Sequence, residues 1–250
     1  MVERATTGIH GLDDLIEGGF PRNRTILVAG ACGTGKSIFS MQYLFHGITQ
    51  CNEPGVFVTF DESPENIRSD MLRFGWNLRE HEAHNTFALI DGASARAGTP
   101  STEQNALQSN QLDINRVLTE VLTVARRIGA KRLVIDSIPA LGFQLDNEHE
   151  IRKIILRLSQ VLSKSGMTAI ITTELPEQPA GQGQMIFSKY GVEEYIADGV
   201  LLLGLIGTSS KADRTLYIRK MRGTAHSGAI HPCTITENGM IVKKVEDVFR

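Results

Sequence analysis

Cysteine is scarce in this chain of 250 residues. Cys32, Cys51 and Cys233 are odd in number and far apart. They offer no disulfide framework and no zinc spacing, and they fit a reduced compartment. No apolar run approaches the roughly 18 residues that mark a membrane-spanning helix. Neither sign of charge dominates: 26 Lys and Arg stand against 28 Asp and Glu, a net charge of −2. A global basic field for nucleic acid is therefore missing. The opening Met-Val-Glu-Arg-Ala-Thr-Thr-Gly is polar and acidic, unlike a signal peptide, so the expected location is cytoplasmic. Internal repeats and low-complexity tracts are also lacking. Hydrophobic residues make up 41% and charged residues 22%, enough apolar material for a full core. The length suits one large α/β domain or two small ones.

Against these absences stands one dense motif. Residues 30 to 37 read Gly-Ala-Cys-Gly-Thr-Gly-Lys-Ser, a complete G-x-x-x-x-G-K-[ST] phosphate-binding loop. The apolar run Thr25–Ala29 precedes it, and Lys36 onward, including Ile38, has helical spacing. Backbone N–H groups at the start of such a helix, and its dipole, favour anions. Gly30 opens the loop, and Gly33 and Gly35 flank Thr34 and let the backbone wrap phosphates without a Cβ in the way. The default ligand is a purine nucleoside triphosphate; Lys36 is expected to reach its β and γ phosphates, and Ser37 to hold Mg²⁺. Cys32 lies inside the loop near a helix N-terminus, where a thiol pKa can fall; it reads either as a small loop residue or as a redox-sensitive one.

Strand-like and helix-like segments alternate through the first two thirds. Strands are expected at 56–60, 86–90, 132–136 and 167–172, and helices at 65–74, 113–128 and 148–165. Ser63-Pro64 suits an N-cap followed by the first helical position. Continuous apolar strands alternating with helices predict a mostly parallel central sheet flanked by helices. From Gly199 the pattern changes to strands at 200–206, 215–221, 233–236 and 240–245 with Gly or Asn turns, read as a C-terminal antiparallel extension of that sheet. Residues 92–110 are small and polar, and read as a mobile surface excursion. Trp76 and its aromatic neighbours read as core, and His81-Glu82-Ala83-His84, which lacks metalloprotease spacing, reads as surface.

Ligands of open parallel sheets bind beyond the carboxyl ends of the strands, where two acidic sites occur. Asp136 ends a strand after Leu-Val-Ile; it reads as support for Mg²⁺ beside Ser37, or as a helix cap. Asp61-Glu62 follows the second strand. One carboxylate would orient and deprotonate the attacking water and the other would support it or the metal; the alternative is a plain loop and N-cap before Pro64.

The order of motifs resembles the KaiC family of RecA/RadA-like ATPases. Thr7-Gly8-Ile9-His10-Gly11-Leu12-Asp13 looks like the family's entry segment, and Phe57 to Pro64 like the strand that ends in paired glutamates. Phe74-Gly75-Trp76, Ile135-Asp136-Ser137 and Lys220-Met221-Arg222-Gly223-Thr224-Ala225-His226 also match. The resemblance implies a RecA-like core, ATP and Mg²⁺, residues 1–250 as one ATPase domain, and a homo-oligomeric ring, hexameric, with ATP between subunits. It further implies that Lys220, Met221, Arg222, Thr224 and His226 serve the neighbour's nucleotide in the manner of an arginine finger, and that Arg73 lies near the adenine. Read without it, Lys220 and Arg222 are solvated strand residues.

Two departures bear on the expectations. The family's first paired glutamate is Asp61 here, one methylene shorter, which shifts the role of base to Glu62. The stretch matching the clock protein's autophosphorylation site reads Val192-Glu193-Glu194-Tyr195-Ile196, so ATPase rather than autokinase activity is expected, with Ser188 and Tyr190 as nearby hydroxyls. A nucleic-acid-binding recombinase relative is the second reading. The loop Pro176 to Gln184 that would serve it has no basic residue before Lys189, so nucleic acid is not an expected partner. The third is a regulatory module that docks an unidentified protein according to its ATP or ADP state.

Overall fold

The computed structural model describes residues 2–107, 114–138, 148–175, 197–208 and 211–244. In chain order the elements are β1 (Arg4–Ala5), β2 (Phe20–Pro21), β3 (Thr25–Gly30), α1 (Lys36–Cys51), β4 (Gly55–Thr59), α2 (Pro64–Leu72), α3 (Leu78–Ala83), β5 (Phe87–Asp91) and α4 (Ala93–Ala97). There follow α5 (Ile114–Ile128), β6 (Arg132–Asp136), α6 (Glu148–Lys164), β7 (Thr168–Glu174), β8 (Gly199–Thr208), β9 (Lys211–Met221), β10 (Ile230–Thr236) and β11 (Gly239–Val242). A nine-stranded sheet has the order β11-β10-β9-β8-β3-β7-β6-β4-β5. The run from β5 to β8 is parallel, and β9, β10 and β11 extend it antiparallel, as the strand patterns predict.

The central strands are apolar throughout because both of their faces are covered. Ile26 and Val28 of β3, Phe57 of β4, Val134 of β6 and Ile170 of β7 pack with Phe39, Tyr43 and Leu44 of α1. Their neighbours Leu27, Ala29, Val56, Val58, Leu133, Ile135, Ala169 and Ile171 point the other way, onto Leu118 and Val121 of α5 and Leu158 and Leu162 of α6. Period-2 alternation thus divides one apolar strand between two cores. Trp76 is buried, stacked between Phe45 and Phe74 with ring centroids 5.6 and 4.8 Å away.

Beneath α1 lies a buried charge. The Arg132 side chain is fully buried; it donates to the Glu53 carboxylate at 2.7 Å and to the carbonyls of Thr6 and Tyr43 at 2.9 and 2.8 Å. Its guanidinium lies 4.4 Å from the centre of the Tyr43 ring. Glu53 also pairs with Arg22. Neighbouring cations hold the Glu53 carboxyl below the usual range against the opposing effect of burial, the largest single influence. A charge this deep is tolerated because the Glu53 carboxylate lies against it as counter-ion, 2.7 Å from Nη2, and two carbonyls accept from Nη1; Nη2 itself makes no hydrogen bond among the described residues.

Residues 92–107 depart from the expected excursion. They hold α4, a bridge from Asp91 to Ala106 and a buried Leu107. Asp91 organises the turn: its carboxylate accepts from the Ser94 N–H at 3.0 Å and the Ser101 hydroxyl at 2.5 Å. Arg68 of α2 then binds Glu103 and Glu82 at 2.7 and 2.8 Å. Glu82, within the His81–His84 surface reading, therefore has a structural partner. Residues 108–110 of that stretch lie outside the described residues, as do Pro176–Gln184, Ser188, Lys189, Tyr190, Val192–Ile196 and the expected end of the last strand at Val245.

Candidate active site

The phosphate loop connects the end of β3 to α1, as its motif requires. Gly33 and Gly35 have φ of 77° and 98°, in the left-handed region. A Cβ on Gly30 would stand 2.6 Å from the Leu203 carbonyl of β8, so only glycine lets the strand end and the loop pass there. Thr34 is buried, and its hydroxyl donates to the Ala31 carbonyl at 2.9 Å. Lys36 Nζ donates to the Gly30 and Ala31 carbonyls at 2.9 and 3.0 Å, inside the curve of the loop.

Asp136 arrives from β6, two strands from β3, through the register of β6 on β7 and β7 on β3. Ser37 Oγ donates to its Oδ2 at 2.7 Å, and the Thr172 hydroxyl of β7 donates to its Oδ1. Burial raises the Asp136 pKa; Thr172 and Ser37 oppose this, Asp61 adds to it, and Lys36 opposes it. Ser37, Asp136 and Glu62 are all oxygen donors, the type a hard divalent cation takes. Among the described residues no three His, Cys, Asp or Glu side chains form a protein-only metal cage. Mg²⁺ fits that arrangement, since it binds through one or two carboxylates together with phosphates.

The turn after β4 presents the acid pair. Thr59 fixes it: its hydroxyl donates to the Glu62 carbonyl at 2.7 Å and accepts from the Glu62 N–H at 3.2 Å. Ser63 caps α2, accepting from the Asn66 N–H at 3.3 Å, with Pro64 first in the helix. The two carboxylates have different surroundings. Asp61 is held by Arg96 at 2.6 Å and accepts from the Ser137 hydroxyl at 2.5 Å. Among the described residues nothing hydrogen-bonds to the Glu62 carboxylate, whose pKa is raised by burial, then by Asp70 and Asp136.

These groups line one cleft of about 750 Å³. Cys32, Gly33, Gly35, Lys36, Ser37 and Ile38 form its floor; Arg73 and Phe74 form one wall, and Ile235, Thr236 and Glu237 another. Arg214, Asp70 and Glu174 also reach it and escaped the sequence reading. Arg214 Nη2 donates to the Gly33 carbonyl at 3.2 Å from a strand 181 positions away. No local pattern marks such a residue; only the pairing of β9 with β8 brings it there.

The segment from Lys220 to His226 is not in this cleft. β9 runs antiparallel to β8, so Met221 lies opposite Gly199, and Gly199 opposite Ile26 of β3. The segment therefore leaves the sheet at the start of β3, about 16 Å along the strand from Gly30. Lys220 Nζ donates to the Ala197 carbonyl at 2.7 Å, and Arg222 lies 3.8 Å from Asp198. Thr224 accepts from Arg4 at 2.5 Å, and His226 Nδ1 lies 3.2 Å from the Ser227 carbonyl. Met221 is buried in the core, so only its backbone faces outward.

A strand, a glycine loop and a helix of the kind that binds phosphate, with an acid at the end of a parallel strand two places away, define a P-loop nucleotide-binding protein with a RecA-like sheet. The model of the KaiC ATPase family matches residues 5–247. The chain is 38% identical over 242 residues to a UPF0273 protein of Aeropyrum pernix, covering 97% of this chain and 94% of that one. It is 37% identical to the circadian clock oscillator protein KaiC of Prochlorococcus marinus, covering 97% of this chain but 45% of the clock protein. Its fold matches the crystal structure of a KaiC-like protein of Pyrococcus horikoshii with TM-score 0.83 and 38% identity, over 98% of this chain and all of the other. The chain belongs to the KaiC family of ATPases, and ATP binding and hydrolysis are its chemistry. No helix among the described residues is long and apolar enough to cross a membrane.

Proposed function

We propose that residues 1–250 act as one Mg²⁺-dependent ATPase domain in a homo-oligomeric ring, hexameric, with each ATP held between two subunits. The observation that carries this reading is the placement of Lys220, Arg222, Thr224 and His226 at the opposite end of the sheet from the phosphate loop. They are too far from their own cleft to serve it, and a head-to-tail neighbour would bring them to the next one. Slow turnover then works as a conformational switch, and the role is regulatory, in the cytoplasm, toward a protein partner rather than nucleic acid.

Within the cleft each group has a task. The loop amides and Lys36 bind and orient the phosphates. Ser37 and Asp136 would hold Mg²⁺ through their oxygens, with Glu62 near enough to join. The chemistry a bound Mg²⁺ would supply there is positive charge to offset the charge that develops on the phosphates. The Glu62 carboxylate accepts no hydrogen bond among the described residues and has a pKa raised by burial, both suited to taking a proton from the attacking water. Asp61, engaged by Arg96 and Ser137, supports it. Arg73, which lines the cleft, would lie near the adenine. Lys220 and Arg222 of the neighbour stabilise charge on the transferring phosphoryl group.

Light-scattering mass with phosphate release on the same fractions tests this. The expected result is a ring near six subunits with slow turnover in that peak. Glu62→Gln should keep ATP binding and lose roughly a hundredfold or more of hydrolysis. Undiminished hydrolysis in that variant removes Glu62 as base, and a monomer that hydrolyses ATP at the full rate removes Lys220 and Arg222 from the mechanism.

A further inference from the structure

The acid pair receives a cation from outside the nucleotide motifs. It comes from α4, within the stretch whose composition promises only a loop. Arg96 Nη1 meets Asp61 Oδ1 at 2.6 Å, while Ser137 Oγ donates to Asp61 Oδ2 at 2.5 Å. Both oxygens of the Asp61 carboxylate are therefore engaged, from opposite sides of the turn. The ion pair is half-exposed, so its contribution to stability is small, well under that of a buried pair. Its consequence is geometric.

The support for Arg96 is local and rigid. Gly92 N–H donates to the Thr59 carbonyl at 2.8 Å, and a Cβ on Gly92 would stand 2.5 Å from the Phe60 ring. The start of α4 is thus pressed onto the residue that precedes Asp61. Asp91 then ties the stretch at both ends. Its carboxylate caps Ser94, its N–H donates to the Asn105 carbonyl at 2.8 Å, and its carbonyl accepts from the Leu107 N–H at 2.9 Å. The residue presented by this closed turn to the site is Arg96.

We infer that Arg96 is a positioning residue for ATP hydrolysis, clamping Asp61 against Ser137 so that Glu62 alone of the pair is free to meet the attacking water. The inference rests on the reading of Glu62 as the base. In a shorter acid the clamp has a clear purpose: Asp61 at this position, left loose, can turn toward the phosphates and compete with Glu62 for the same water. Arg96 acts through Asp61 and is not among the residues that line the cleft.

The test is a double-mutant cycle on kcat and KM for ATP, using the full chain in its assembled form. Arg96→Ala should lower kcat roughly tenfold and leave KM within about twofold, because the change removes orientation and not substrate binding. Arg96→Lys, which keeps the charge and loses the fork, should recover part of kcat. In an Asp61→Asn background, Arg96→Ala should have little further effect, since the clamp already lacks its target. Equal losses from Arg96→Ala in both backgrounds, or a change confined to KM, would overturn the inference. So would an Arg96→Ala enzyme with parental kcat. The Glu62→Gln enzyme, measured beside these, separates the two readings: full activity there fails the base assignment, whereas the Arg96–Asp61 coupling in the parent stands or falls by the cycle itself.

Discussion

Gly47 lies in the fourth turn of α1, where helix propensity and packing make opposite predictions. Replacing a helical glycine by alanine gains about 1 kcal/mol from backbone entropy alone. At this position the added Cβ would stand 2.3 Å from Arg132 Nε, 2.4 Å from Cδ and 2.7 Å from Cζ. Arg132 cannot swing aside cheaply, since it is fully buried and bound to Glu53, Thr6 and Tyr43. Overpacking costs about 1–3 kcal/mol, and breaking a buried ion pair about 3–5 kcal/mol. Partial loosening of the pair added to the overpacking, less the propensity gain, leaves Gly47→Ala about 2–4 kcal/mol less stable. Urea unfolding followed by far-UV circular dichroism reads this directly as a lower midpoint at unchanged slope. In an Arg132→Leu background the clash is gone, and the penalty should shrink or reverse. A Gly47→Ala protein as stable as the parent would show that α1 lifts off the sheet at little cost, and would refute the account of this buried charge.

Two further outcomes follow from the unequal carboxylates. Asp70 is the first of the two negative neighbours, after burial itself, that raise the Glu62 pKa. Asp70→Asn should lower that pKa, keep Glu62 ionised in more acidic solution, and move the acid limb of the kcat profile to lower pH; an upward shift contradicts it. A carboxyl whose pKa is higher folded than unfolded penalises the fold once it ionises. Glu62→Gln should therefore raise the melting temperature at pH 8, with the gain fading as pH falls through the raised folded pKa and gone below the unfolded pKa, and a lower melting temperature at pH 8 would sink that reading.

Much of the sheet was legible because its signals are local. The run Thr25–Ala29, the glycine loop and the apolar spacing after Lys36 each fit within a short window, and the observed β3 and α1 follow them. β6 has the expected bounds, Arg132–Asp136, because an apolar run there ends in a charge at each side. What escaped has no periodicity to read. β1 and β2 are two residues each, held by pairing with one another. α4 is five residues of small and charged side chains, and the carboxylate that holds its first turn belongs to Asp91, the last residue of β5. α3 is six residues long and too short for a helical repeat to register. In the site, Gly30 to Ser37, Asp61, Glu62 and Asp136 announce themselves by motif. Arg214 and Glu237, which reach the cleft, and Arg96, which reaches Asp61, do not, since each arrives through tertiary pairing that no neighbouring residue encodes.

The two ends of the sheet carry different halves of the proposed chemistry, and this separates damage from loss. A Glu62→Gln subunit is spoiled only at its phosphate-loop end, and an Arg222→Ala subunit only at its other end. Each kind of ring would be inactive by itself. In a ring assembled at random from equal amounts of both, about a quarter of the junctions pair the intact end of one with the intact end of the other. Mixing two dead preparations, after dissociation and reassembly, would then restore about a quarter of parental turnover. A protein that completed its site within one chain would stay dead however it was mixed.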